Sequence, residues 1–182
     1  MRIRTFLSFS IVCFNVAIAQ KTLLEVASPQ NPQHDSKPNN DSVPNVYTIN
    51  SQFNQVFVLR LKYQTDLLKG VESVIKEKSI RNAVILSGIG SVRNYHFHTI
   101  ANRTFPTKNI FVRDSTAPAN ITGMNGYVID GRVHAHVTFS NEEHAFGGHL
   151  EYGTEVFTFA VITIGVLIDG TDLRSVDDKN YR

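Results

Sequence analysis

An α+β domain, one helix against a mostly antiparallel sheet of about seven strands, is the fold class that this 182-residue sequence predicts. Three observations predict it. Segments of strand composition are joined by short Gly or Asp-Gly turns such as Asp130-Gly131, which suit antiparallel hairpins. Only one stretch, beginning near Thr65 and Asp66, carries apolar residues at helical spacing. Hydrophobic residues make up 42% and charged ones 19%, which supplies one core and excludes a wholly disordered chain. The length fits a single modest domain with extensions.

The extensions come first. Met1-Arg2-Ile3-Arg4 is a positive start, Thr5 to Val16 is mostly apolar and uncharged, and Ala17-Ile18-Ala19 ends on small residues. This is the pattern of an export signal cleaved after Ala19, so residues 1–19 are read as a signal peptide. An apolar run of about a dozen residues falls short of the ~20 needed to span a bilayer. The mature protein is therefore expected without a membrane span, in a periplasm or outside the cell. Cleavage removes Arg2, Arg4 and the single cysteine, Cys13, leaving 16 basic residues against 16 acidic ones. A thiol-free chain has neither a disulfide framework nor a Cys-rich zinc module. A neutral one lacks the field that draws in phosphate backbones. Residues 20–51 are rich in Asn, Gln, Ser and Pro, including Pro29, Pro32, Pro38 and Pro44, and predict a flexible polar linker. The domain is expected over residues 52–170, with a polar tail at 171–182.

Within the domain, Val56 to Tyr63 has strand composition. Asp66 is placed to cap a helix whose stripe is Leu67, Leu68, Val71, Val74 and Ile75, with Lys76 and Lys78 suiting the dipole at its end. Arg81 to Ile89 predicts a buried strand closed by Gly88 and Gly90. Ser87-Gly88-Ile89-Gly90-Ser91 lacks the third glycine of a dinucleotide loop and any following Gly-Lys-Ser/Thr, so it is read as a tight turn between strands. Further strands are expected near Val92 to Ala101, Ala119 to Ile129, Arg132 to Ser140, His149 to Tyr152 and Glu155 to Ile168.

The chemistry concentrates in Arg132-Val133-His134-Ala135-His136-Val137-Thr138-Phe139. Alternate residues are apolar, so His134 and His136 project together from the opposite face. A turn centred near Glu142 and Glu143 pairs residues whose numbers sum to about 285, which sets His149 opposite His136 and Gly147 opposite Thr138. Paired residues share a face, with Cβ atoms about 4.5–5.5 Å apart. Three imidazoles then converge, a donor set suited to zinc or another divalent ion with a fourth position left for water or a ligand. Gly147 and Gly148 allow another backbone or a ligand to approach closely. His96 and His98 form a second H-x-H without an obvious third ligand and are read as solvated edge histidines. His144 is expected in an exposed acidic turn, and His34 falls in the linker. No G-x-S-x-G or H-E-x-x-H motif occurs, so serine-hydrolase and thermolysin-type readings lack support.

Taken together, the Arg60 strand with its following helix, Ala83 to Val92, Gly126 to Val137, and Gly147-Gly148-His149-Leu150 resemble the plants-and-prokaryotes-conserved (PPC) domain over about residues 56–169. The resemblance implies an α+β fold and a homotrimer. It also implies a metal, commonly zinc, on the H-x-H and G-G-H histidines, which correspond to His134, His136 and His149. Plant members bind A·T-rich DNA through separate AT-hook segments. This sequence has no Arg-Gly-Arg-Pro core and no basic cluster, so DNA binding is not expected to carry over.

Three functions are compatible with these residues. The first is an exported, oligomeric, zinc-binding protein that holds a small-molecule ligand or partner at its histidine face. The second is a zinc-dependent hydrolase or lyase using the open metal position, its catalytic residues unknown, with Glu142, Glu143, Glu151 and Glu155 as candidates by proximity alone. The third is an oligomerisation or interaction module.

Overall fold

The computed structural model describes residues 22–27 and 38–176. The expected signal peptide and the last six residues lie outside them. Among the described residues nine strands form one antiparallel sheet: β1 (Leu23–Ala27), β2 (Phe53–Lys62), β3 (Ala83–Val92), β4 (Tyr95–Ile100), β5 (Asn109–Asp114), β6 (Ala119–Ile129), β7 (Arg132–Ser140), β8 (Ala145–Leu150) and β9 (Val156–Leu167). One α-helix among the described residues, α1 (Leu67–Glu77), follows β2. Across the sheet the order is β1-β5-β4-β8-β7-β6-β3-β9-β2.

The α+β class and the antiparallel sheet agree with the sequence reading, but the count is nine strands, not about seven. β1 lies in the stretch expected to be a flexible linker. It is held by pairing along β5, from Leu23 opposite Arg113 to Ala27 opposite Asn109, while Leu23 and Leu24 stay exposed. With Leu23 to Glu25 exposed, backbone pairing rather than burial holds this part of the strand and leaves no apolar periodicity to read. β5 is the other strand the sequence does not predict, because Ile110-Phe111-Val112 runs without alternation. The segment Gly88 to Ser91 is not a turn. It lies inside β3, where pairing with β9 shifts register between Ile85 and Ser87 and again between Gly90 and Val92. The folded body also runs beyond Gly170, since Leu173 is buried and Asn82 donates a hydrogen bond to the Thr171 carbonyl.

Alternation decides the two faces. One face of the sheet carries Leu61, Ile85, Met124, Val128, Ala135, Val137, Phe139, Leu150, Ile162 and Ile164, all buried. Helix α1 covers this face with Leu67, Leu68, Val71 and Ile75, packing against β2 and β7. The helix starts where expected: Asp66 accepts a hydrogen bond from the Lys69 amide at 3.0 Å and another from the Gly153 amide at 2.8 Å. Replacing it, Asp66→Ala, is expected to lower unfolding stability in urea by about 1–2 kcal/mol, since two amides lose their acceptor. An unchanged midpoint would show the cap to be idle.

Among the described residues no helix covers the opposite face. At the β2-β9-β3 end it is apolar and open, with Val58 66% and Ile89 57% exposed beside Val56, Phe157 and Phe159. Towards β7, β8 and β4 the same face turns polar and carries the histidines.

Candidate metal centre

β6 and β7 are joined by Asp130-Gly131, both at positive φ (48° and 82°), the conformation a two-residue hairpin turn requires. That tight turn fixes register, so Tyr127 faces His134 and Asn125 faces His136. Buried Val133, Ala135 and Val137 pin β7 from below and hold both imidazoles on the open face. Asn141 then shapes the β7-β8 turn, its side-chain oxygen accepting from the amides of Glu143 and His144. The resulting pairing places His149 opposite His136 and Gly147 opposite Thr138, the register read from the sequence.

The three rings converge. Centroids of His134 and His149 are 4.7 Å apart, those of His136 and His149 5.3 Å, and those of His134 and His136 5.4 Å. One ligand atom from each ring lies within 4.8 Å of the others. The His149 ring stands nearly perpendicular to both partners, which avoids a closed stack and leaves nitrogen lone pairs a common space. Glycines make the convergence possible. A Cβ at Gly147 would fall 2.0 Å from the Val137 carbonyl oxygen, and one at Gly148 would fall 2.2 Å from that of His98.

The electrostatics favour unprotonated rings. Burial pushes His149 down from the ordinary histidine range to about 4, with repulsion from His98 and His134 adding to it and Glu151 opposing. Burial also lowers His134 and His136, helped by neighbouring histidines. A neutral imidazole offers a lone pair where an imidazolium offers none, so this donor set fits a divalent metal ion.

β4 corrects the reading of the second H-x-H pair. It is an interior strand between β5 and β8, so His96 and His98 are not edge residues. The core rings of Tyr95 and Phe97 turn both histidines onto the open face. His98 pairs directly with His149, ring centroids 4.6 Å apart, so His136, His149 and His98 run in one row across three strands. Glu151, two residues beyond His149, bonds the Nδ1 of His98 at 2.6 Å. Burial would push its carboxyl up, but the hydrogen bond and nearby charge of His98 outweigh this and hold it below the ordinary range. His96 stays out of the cluster, its Nδ1 against the Tyr152 carbonyl at 2.8 Å.

The other carboxylate candidates disperse. Glu142 and Glu143 are exposed in the β7-β8 turn, and Glu155 faces Arg93 at 3.9 Å. A cleft of about 820 Å³ lined by Lys78, Arg81, Asp130 and Arg174 includes none of the histidines. Sequence reasoning therefore missed His98. The Tyr95-His96-Phe97-His98 alternation carried its facing, but only long-range pairing reveals its neighbour.

Comparison with solved structures gives several likenesses. A metal-containing protein from Archaeoglobus fulgidus is 27% identical, with 66% of this chain and 86% of that one covered and a TM-score of 0.54. A plant- and prokaryote-conserved (PPC) protein from Pyrococcus horikoshii is 22% identical over 70% and 87% of the two chains, with a TM-score of 0.56. A Bacteroides thetaiotaomicron protein provisionally named as DNA-binding is 17% identical over 66% and 86%, with a TM-score of 0.52. The last two likenesses concern the fold. No curated protein matches the chain. The model of the Plants and Prokaryotes Conserved (PCC) domain matches residues 49–168, and the chain belongs to that family.

Proposed function

We propose that this is an exported metal-binding protein whose His134, His136 and His149 hold a divalent ion, zinc by preference, with a small ligand or partner engaged at the same face. One observation carries the reading: three imidazoles, kept neutral by burial, converge from adjacent strands. An all-nitrogen set of this size suits zinc. Such an ion supplies Lewis acidity and a coordination position open to water or a ligand. The metal-containing relative from Archaeoglobus fulgidus supports the same reading.

Export follows from the Met1 to Ala19 pattern, and among the described residues no helix is long and apolar enough to cross a membrane. The exposed apolar area on β2, β3 and β9 supports assembly with further copies, and the family membership is the ground for proposing a homotrimer. DNA binding is outside this reading, because residues 20–182 are charge-balanced and contain no AT-hook core.

Metal analysis tests the proposal. Protein exposed to zinc and dialysed against metal-free buffer is expected to retain about one tightly held ion per chain. The His134→Ala/His136→Ala variant should retain almost none. A wild-type chain that emerges empty would remove the reading. Chelator-sensitive turnover of simple esters, lactones or phosphates would favour a hydrolase or lyase over a binding protein.

A further inference from the structure

His149 belongs to two groups of ligand atoms. The second comprises His98, His149 and Glu151, again with all three ligand atoms within 4.8 Å of one another. All three residues are half-buried on the histidine face, and the Phe111 ring on β5 closes the side beyond His98 with centroids 5.0 Å apart. The donor chemistry differs from that of the first group. Two imidazoles and a carboxylate suit manganese(II) or iron(II), whereas three imidazoles favour zinc.

We propose that His98, His149 and Glu151 form a second cation position beside the three-histidine centre, taking a manganese(II)- or iron(II)-class ion while the first holds zinc. The inference rests on the zinc reading of the first centre. Because His149 belongs to both groups, filling both positions requires each of its ring nitrogens to hold one ion, with its N–H proton released to solvent. The hydrogen bond between His98 and Glu151 opens so that each side chain donates a lone pair to the ion. Both changes cost free energy, so the second ion binds more weakly than the first.

The test loads the full chain with one equivalent of zinc. It then titrates manganese(II), following the electron paramagnetic resonance signal of the free ion. About one manganese per zinc-loaded chain is expected. Glu151→Gln and His98→Ala should each weaken that uptake at least about tenfold while keeping the zinc, which also reports that the variants are folded. No manganese uptake by the zinc-loaded wild type would overturn the second position alone, as would uptake that Glu151→Gln leaves unchanged. Failure to bind zinc in the first place would remove both positions together.

Discussion

Acidification from pH 7.5 to about pH 4 is expected to strip the three-histidine centre and, separately, to weaken the metal-free fold. An ordinary imidazole gains its proton near pH 6.5. Here burial and mutual repulsion lower all three rings, His149 to about 4. Proton competition for the lone pairs therefore starts later, so zinc occupancy should hold through about pH 6 and collapse between about pH 5 and 4. Full retention at pH 4 would argue against an all-histidine site. The effect on folding follows from linkage. Between about pH 6.5 and 4 the unfolded chain binds a proton at residue 149 that the folded chain refuses, so stability falls as pH falls across that window. The shift at His149 corresponds to about 2–3 kcal/mol once its partial exposure is allowed for. Urea melts of chelator-treated protein should show this loss, and His149→Ala should flatten it. A pH-independent midpoint across the window would mean that His149 is not buried as a neutral ring.

The features that were legible in the sequence are those encoded by neighbours. Alternation in Val133 to Phe139 declares which side each histidine takes, and Asp130-Gly131 declares a two-residue hairpin. Asp66 with its following stripe declares the helix start. One more inference, the register across the short β7-β8 turn, was enough to bring His149 to His136. What stayed hidden depends on pairing between residues far apart in the chain. His98 and His149 are brought together by β4 lying beside β8, and nothing local to Tyr95–Ile100 names that neighbour. β1 is hidden for another reason: its partner is a backbone edge, and hydrogen bonds from backbone amides carry no residue signature. Gly88 and Gly90 misled because glycines in a strand interior and glycines in a turn look alike in sequence. The centre was thus visible from one side, and its second half became readable only when the sheet order was known.

Gly147→Val is expected to damage both the fold and the centre more than any change to an exposed residue of the β7-β8 hairpin. The new Cβ would fall 2.0 Å from the Val137 carbonyl oxygen and 3.0 Å from the Thr138 Cα. Both are backbone atoms of the paired strand, so no rotamer change relieves the clash. The strands must separate, and the pairing that sets His149 opposite His136 lies two residues away. Overpacking of this kind typically costs about 1–3 kcal/mol, and the upper end applies when backbone is the obstacle. Zinc affinity should fall by about 100-fold or more, because ligands on both strands move, a larger disturbance than loss of an outer-shell partner. Gly123→Ala is the matched control, with nothing within 4 Å of its Cβ, and should change stability by less than about 0.5 kcal/mol with zinc binding intact. Thermal melts and zinc competition titrations on the pair separate the two ideas. If Gly147→Val behaves like Gly123→Ala, then β7 and β8 are not held at this distance, and the convergence of the three imidazoles loses its structural cause.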